Sequence, residues 1–379
     1  MAEPGRPGGA GPPVWRYVAD DGVTASFGLA ADEVVTRRQG TGASPPTLRL
    51  YTYASHCALV GRFQRLASEL HLDACRRLGV AVNRRPTGGG AIVMGADQLG
   101  VAIMGPPDGP RSYDRTRELF QRFSAGLVAA LGELGIAAEY RRKNDVEVGR
   151  RKIAGLGIWH EPGGGLLFHA SLLVDLDVAF MLRVLRTPFP KISDKAIATV
   201  ADRMTTVRRE LGRAVTTAEV RRRLADAYAR ALGIALEPGA FTPEERAEIA
   251  RLEAERYARP AWLAQEPATP DAAGVASLKT PGGVVTAQLT LAGDMVKAVY
   301  FTGDFFADET VLAGIERALR WHPAAHEAVE KTLLALDERD GLRVPGVSAP
   351  DLGRLVGLAA AAARRHEGEG LSTGCFVDP

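Results

Sequence analysis

Short strand-like runs follow one another through the first half of this chain with few helices between them, and this order restricts the fold more than any other feature. Helical spacing is clear over residues 67–78 and in a stretch that starts near Asp114. Because strands and helices do not alternate strictly, the pattern favours an α+β fold, a mixed β-sheet core with flanking helices, over a doubly wound sheet. The strand-like runs are residues 48–53, 58–61, 80–83, 99–104, 145–148 and 166–174.

A segment rich in proline and alanine divides the chain. Its 379 residues exceed one ordinary domain, and residues 266–274 are typical of a linker. We therefore expect a large N-terminal domain over 14–265 and a small α+β C-terminal domain over 275–366, where two strand-like runs flank a Gly293-Asp294 hairpin turn. The remaining segments are a disordered lead over 1–13 and a tail over 367–379.

Charge, hydropathy and cysteine content exclude several classes of protein. A formal net charge of +2 is too small to predict nucleic acid as a partner. No apolar run approaches the roughly 20 residues of a membrane span, so no membrane association is expected. Cys57, Cys75 and Cys375 have neither the spacing of a disulfide framework nor that of a metal site. These features predict a cytoplasmic globular protein.

A glycine-rich segment, Arg84-Arg85-Pro86-Thr87-Gly88-Gly89-Gly90-Ala91, lies between two strand-like runs. Consecutive glycines let a backbone approach a ligand closely and turn its N–H groups towards an anion. Arginine forks beside them match phosphate geometry. A glycine hairpin with solvated arginines is the alternative, and a glycine triplet alone would favour it. The segment lacks the Gly-Lys-Ser/Thr ending of a P-loop.

Two further clusters carry candidate chemistry. Asn144 and Asp145 offer hard oxygen ligands of the kind that Mg²⁺ takes beside phosphates, and Lys152 begins a small-residue strand that contains Gly155. The alternative for this cluster is a hairpin whose lysine protects a sheet edge. In the other cluster, strand alternation places Leu167, His169 and Ser171 on one face, where His169 is either a base or a packed, hydrogen-bonded histidine.

The order and spacing of these segments resemble the lipoate–protein ligase A family, within the biotin/lipoate protein ligase superfamily. The segments that carry the resemblance are Gly61-Arg62-Phe63-Gln64, Arg84 to Ala91, Asn144-Asp145, Lys152-Ile153-Ala154-Gly155 and His169-Ala170-Ser171-Leu172. Gly303-Asp304-Phe305-Phe306 resembles the accessory C-terminal domain of the two-domain members. The resemblance covers nearly the whole chain after Pro13.

This resemblance implies a class II biotin/lipoyl ligase-like core and an ATP-dependent ligase. Such an enzyme uses ATP and Mg²⁺ to convert lipoate or octanoate to acyl-AMP. It then transfers the acyl group to a lysine of a lipoyl-domain protein, either a 2-oxoacid dehydrogenase subunit or the glycine cleavage H protein. Lys152 would be catalytic and Asp145 would face Mg²⁺. The implied ATP and acyl-adenylate site comprises Arg85, Thr87, Gly88, Gly89, Gly90, Ala91, Ile92, Val93, Gln98, Asn144, Asp145, Lys152, Gly155, His169 and Ser171.

Other activities of the same fold stay open. An octanoyl- or lipoyltransferase would take its acyl group from a thioester through a cysteine nucleophile, but no cysteine lies between Cys75 and Cys375. Biotin–protein ligase and a non-enzymatic binding module are further alternatives. Met94-Gly95 stands where the family often has His-Asp, and Phe168-His169-Ala170-Ser171 replaces His-His-Gly-Thr. These departures leave the acyl chain, like the acceptor and the oligomeric state, undecided.

Overall fold

A mixed eight-stranded sheet forms the centre of the computed structural model, which describes residues 11–105, 116–141, 144–186, 198, 200–264 and 274–370. The strands of the N-terminal part are β1 Val14–Val23, β2 Thr47–Tyr53, β3 Cys57–Val60, β4 Ala81–Arg84, β5 Ile92–Met94, β6 Gln98–Gly105, β7 Ala138–Arg141, β8 Asp145–Val148, β9 Arg151–His160, β10 Leu166–Leu173 and β11 Ala235–Pro238. The large sheet has the order β11-β1-β2-β6-β10-β9-β8-β7, and β4-β3-β5 form a smaller sheet. Strand β1 runs parallel to both of its neighbours, whereas the other pairs of the large sheet are antiparallel.

Helices of the N-terminal part pack on both faces of the large sheet and on the small sheet. They are α1 Ala25–Gly40, α2 Leu66–Glu69, α3 Leu72–Arg77, α4 Thr116–Glu133, α5 Val178–Val184, α6 Val207–Leu211, α7 Thr217–Leu232, α8 Pro243–Leu252 and α9 Pro260–Leu263. Leu127 of α4 and Leu224 of α7 share one core with Leu50. Val35 of α1 and Ile249 of α8 share another core with Tyr51. Adjacent residues of β2 thus point into opposite cores, as strand alternation requires.

Local signals explain where α8 begins and why α2 and α3 do not form one helix. Helix α8 starts with a complete capping box, since Thr242 and Glu245 bond each other's backbone N–H groups and Pro243 takes the first helical position. The single helix predicted over residues 67–78 is wrong, because α2 and α3 are separated at Leu70 and His71. The His71 N–H donates to the carbonyl of Val184 instead of continuing a helix.

A second α+β unit with its own apolar core follows in the C-terminal part. Its elements are β12 Gly274–Thr280, β13 Gly283–Ala292, β14 Met295–Gly303, α10 Glu309–Ala318, β15 His322–Pro323, α11 His326–Asp340 and α12 Ala349–Gly370. The four strands are antiparallel in the order β12-β13-β14-β15. The predicted α+β class with a separate C-terminal domain is confirmed. The domain boundaries stay a prediction, since residues 265–273 lie outside the described part.

Within the described ranges, no helix combines the length and the apolar character that crossing a membrane requires.

Candidate active site

The buried guanidinium of Arg85 holds the glycine-rich loop in shape. Its Nη2 donates to the carbonyls of Gly88 and Gly90 at 3.0 and 2.7 Å, and its Nη1 donates to the carbonyl of Leu59 at 2.9 Å. Its Nε donates to Thr87 Oγ1 at 3.1 Å. Burial lowers the pKa of Arg85 to about 10, so the side chain still carries its charge at neutral pH.

The side chain of Arg84 also binds backbone carbonyls. It is fully buried and donates to the carbonyls of Gly61 and Gln64 on one side and to those of Trp262 and Leu263 on the other. The sequence suggested that both arginines present forks to a phosphate. In the structure the two guanidiniums bind backbone carbonyls, so their role here is to shape the loop and to anchor α9 against it.

A narrow cleft with a cavity volume of about 20 Å³ lies beside the loop. Its polar lining comprises Asp32, Tyr51, Tyr53, Arg85, Thr87, His169 and Ser171, and its apolar lining comprises Leu29, Leu59, Pro86, Ile92, Met94, Leu167 and Ala170. The predicted face of β10, with Leu167, His169 and Ser171 together, is confirmed. Gly157 leaves room for the histidine, since a Cβ there would lie 2.2 Å from His169 Nε2.

His169 is a neutral, hydrogen-bonded histidine in the wall of this cleft. Its Nε2 lies 2.7 Å from Thr87 Oγ1. Because Thr87 already accepts from Arg85, its own proton is available for His169. Burial, together with the nearby charge of Arg85, lowers the pKa of His169 to about 3. The imidazole is therefore uncharged at physiological pH, which fits the packed-histidine alternative better than a general base.

Lys152 and Asp145 form a cation–carboxylate pair near Ser171 of the cleft wall, although neither residue of the pair lines the cleft. Lys152 Nζ lies 2.7 Å from Asp145 Oδ1, and the two side chains are 32% and 31% exposed. A Cβ added to Gly155 would lie 3.0 Å from Lys152 Nζ and 3.4 Å from Ser171 Oγ. The absence of a side chain at Gly155 thus lets the lysine reach across β9 towards the serine that lines the cleft.

The backbone of Lys152 is held on both sides. Its N–H donates to the carbonyl of Arg203 at 2.9 Å, and its carbonyl accepts from the N–H of Thr205 at 2.8 Å. The segment around Met204 pairs with Lys152 as an isolated parallel bridge. These hydrogen bonds fix the position of the Lys152 backbone.

The remaining predicted residues have different surroundings. Asn144 Nδ2 donates to the carbonyl of Leu156 at 3.1 Å, which fixes the backbone next to Asp145. Gln98 is buried in β6, where its Nε2 donates to the carbonyl of Asp175 at 2.7 Å, and it does not line the cleft. Ala91 and Val93 pack in the core beneath α5, whereas Ile92 between them faces the cleft.

The expected Mg²⁺ site does not fit this arrangement. Asp145 is occupied by Lys152, and among the described residues no three histidine, cysteine, aspartate or glutamate side chains come together as metal ligands. An ammonium group beside a lone carboxylate opposes the binding of a divalent cation.

The C-terminal domain covers the glycine-rich loop. The Gly89 N–H donates to the carbonyl of Phe305 at 3.3 Å, and a Cβ on Gly88 would lie 2.2 Å from that same oxygen. The Phe306 ring packs edge-on against Phe120 of α4, with 5.9 Å between the ring centroids. The glycines are therefore needed for contact between two protein segments, as well as for any approach of a ligand.

Sequence reasoning missed the inner end of the cleft. Asp32, Tyr51 and Tyr53 line it, and Arg49 lies buried beside them with its Nη1 2.8 Å from Asp32 Oδ1. Arg49, Tyr51 and Tyr53 alternate along β2. An arginine and two tyrosines on one face of an apolar strand are the signal that could have found this polar end.

The comparison with curated proteins points to acyl transfer. Octanoyltransferase LipM of Symbiobacterium thermophilum is 31% identical to this chain over 260 residues, which cover 63% of this chain and 93% of the relative. Other similar proteins carry the same name.

These relatives overturn the activity expected from the sequence. The expectation of an ATP-dependent lipoate–protein ligase is wrong, because the similar curated proteins are octanoyltransferases. The alternative weighed beside it, a transferase of the same fold, agrees better with them. The transferase was disfavoured because no cysteine lies between Cys75 and Cys375. The absence of a cysteine there counts against a cysteine-bound intermediate, but it does not exclude acyl transfer as such.

Solved structures confirm the fold across both domains. The lipoate complex of LipL1 from P. falciparum matches with a TM-score of 0.67 at 16% identity, over 90% of this chain and 98% of that one. The bipartite lipoate protein ligase of Thermoplasma acidophilum, studied with its E2 lipoyl domain, matches with a TM-score of 0.60 at 24% identity, over 68% of this chain and 99% of that one.

A family model locates the relationship in the sequence. The model describes the lipoyl protein ligase A/B catalytic domain and matches residues 24–229. That range contains the glycine-rich loop, the cleft and the Lys152–Asp145 pair. With more than half of its residues matched, the chain belongs to the lipoyl protein ligase A/B catalytic domain family.

Proposed function

We propose that this protein is an acyltransferase that moves an octanoyl group from a thioester donor to the lysine of a lipoyl-domain acceptor. The names of the curated relatives support the octanoyl group. The solved archaeal ligase is described with an E2 lipoyl domain, which supports an acceptor of that kind. The thioester is the activated form of a carboxylic acid that yields an amide without ATP.

The observation that carries this proposal is the position of a charged pair close to a cleft whose wall includes four large aliphatic side chains. Leu29, Leu59, Ile92 and Leu167 provide the surface that an aliphatic chain requires. If the chain lies in this cleft, its carbonyl group lies towards Ser171 and the ammonium group of Lys152. A fixed cation there would stabilise the oxyanion that forms when a thioester carbonyl is attacked.

The contacts that cover the glycine-rich loop favour an activity that requires no nucleotide. Arg84 and Arg85 are engaged by backbone carbonyls, and the Phe305 carbonyl occupies the space next to Gly88. We therefore assign no step to ATP.

The test is transfer between purified components. The full chain is incubated with an octanoylated carrier protein and a lipoyl-domain acceptor, without ATP, and the intact mass of the acceptor is measured. We expect one octanoyl group on the acceptor lysine and none when that lysine is replaced by arginine. Labelling that requires free octanoate and ATP, with none from the thioester, would refute the proposal. A parallel assay with a lipoyl thioester tests the choice of acyl group.

A further inference from the structure

Neither described cysteine is placed to carry an acyl group beside Lys152. Cys57 and Cys75 are buried in the cores around α1 and α3, and neither belongs to the lining of the cleft. Burial raises the pKa of the Cys57 thiol, which removes the thiolate that acts as a nucleophile. Cys375 lies outside the described residues.

What the site does offer is a carboxylate directly beside the cation, with 2.7 Å between Asp145 Oδ1 and Lys152 Nζ. Asp145 Oδ1 is buried against Lys152 without the alignment of a hydrogen bond. The exposed part of this carboxyl group therefore lies on the Oδ2 side. Arg151, the neighbouring cation, is engaged with Glu210, with 2.8 Å between Arg151 Nη2 and Glu210 Oε1.

We propose that the acceptor lysine attacks the thioester directly, with Asp145 as the proton acceptor and Lys152 as the oxyanion-stabilising group. This inference rests on the proposed function. The partial exposure of both side chains gives an incoming lysine access. No acyl-enzyme forms, so the two substrates occupy the site together.

The chemical step is an aminolysis. The acceptor amine forms a C–N bond to the thioester carbon, and the carbonyl electron pair moves to the oxygen, where Lys152 stabilises the negative charge. Before the attack, Asp145 removes one proton from the acceptor ammonium and so leaves a neutral amine. The C–S bond then breaks, the electron pair returns to form the amide carbonyl, the nitrogen gives its second proton to the thiolate, and Asp145 releases its proton to solvent. The products are the octanoyl amide and the free carrier thiol.

The first experiment uses the wild-type chain. It is mixed with the octanoyl donor alone, quenched, and examined by intact mass spectrometry, and initial rates are then measured while both substrates are varied. We expect no octanoyl adduct on the enzyme and intersecting double-reciprocal lines. An adduct on Ser171 or on any cysteine, with parallel lines, would overturn the inference while leaving the transferase proposal in place. No transfer to the acceptor at all would overturn both.

The second experiment separates proton removal from positioning. Asp145→Asn should lower kcat for the lysine acceptor by about 10²-fold or more with little change in KM for the donor. Glu147→Gln, two residues along the same strand and near Arg141, is the matched control and should stay within about twofold of the wild type.

Hydroxylamine provides the decisive readout for Asp145. It is uncharged at neutral pH and attacks a thioester without first losing a proton to a base. Asp145→Asn should therefore form octanoyl hydroxamate at nearly the wild-type rate. Equal losses with hydroxylamine and with the lysine acceptor would show that Asp145 only positions Lys152, and the assignment of a base would be wrong.

Discussion

Thr87 Oγ1 and His169 Nε2 lie 2.7 Å apart, and this bond ties the glycine-rich loop to the central strand of the sheet. The loop is thus fixed from within by Arg85 and from the sheet by His169. The wall of the cleft is preorganised, and the groups that form it are neutral except for Arg85 and Asp32.

The Thr87 bond should contribute measurably to stability. Thr87→Val keeps the shape of the side chain but leaves Arg85 Nε and His169 Nε2 buried without a partner, at a cost of about 1–3 kcal/mol for each group. We expect a lower midpoint of urea unfolding for Thr87→Val and little change for Thr87→Ser. Equal midpoints for the two variants would contradict the proposed link.

Lys152 should be needed for chemistry and not for folding. Its side chain is about one-third exposed and its only described ion pair is with Asp145. Lys152→Met keeps the aliphatic stem and should lower the transfer rate by about 10²-fold or more, while far-UV circular dichroism and the unfolding midpoint stay close to wild type. A variant that transfers octanoyl groups at the wild-type rate would remove Lys152 from the mechanism.

Two glycines of the same loop should respond differently to alanine. A Cβ at Gly88 would collide with the Phe305 carbonyl at 2.2 Å, whereas a Cβ at Gly90 meets nothing within 4 Å. Gly88→Ala must push the 303–306 segment away, so we expect a loss of about 1–3 kcal/mol in unfolding free energy and lower transfer activity. Gly90→Ala is the control and should resemble the wild type. Similar behaviour of the two variants would mean that the domains do not hold this contact in solution.

Glu316 of α10 should make stability depend on pH. Its carboxyl accepts from the Phe301 N–H at 2.9 Å, and burial raises its pKa from 4.5 to about 7. The folded protein holds this proton more tightly than the unfolded chain. The contribution of Glu316 to stability is therefore largest at low pH and is lost as the pH rises from 4.5 through 7, by at most about 3 kcal/mol.

The matching variant is Glu316→Gln, which keeps the acceptor oxygen without the charge. It should be more stable than the wild type at about pH 8 and nearly equal to it at about pH 4.5, as measured by chemical denaturation at each pH. Glu338→Gln on the exposed side of α11 is the control. A difference between Glu316→Gln and wild type that stays constant with pH would contradict the prediction.

Sequence patterns predicted most elements of the sheet, because alternation and turn chemistry are local. The hairpin around Gly293-Asp294 and the inward face of β10 followed from period and turn residues alone. The sequence pattern did not predict strand β11, because this strand is short and half-exposed. Its pairing with β1 also joins residues that are far apart in the chain.

The site was predicted less completely, for a physical reason. A sequence shows which residue types could bind a phosphate, but not whether their donors are already used. Arg84 and Arg85 have the right chemistry, and their N–H groups are engaged by carbonyls from α9, β3 and the loop itself. Lys152 and Asp145 were both expected near the site and lie on adjacent strands of one hairpin, but their ion pair was not predicted.

The position of β1 has a consequence for the order in which the chain can fold. Arg16 of this strand pairs with Glu245, 229 positions later, at 2.6 Å, and Val14 aligns with Ala235. During synthesis the first strand therefore leaves the ribosome long before its outer neighbour exists. Contacts between such distant residues slow folding and leave strand edges exposed in the meantime. A nascent chain stopped before residue 235 would lack the outer partner of its first strand, although β2 is already present on the other side, which makes that outer edge the place where chaperone binding or aggregation should begin.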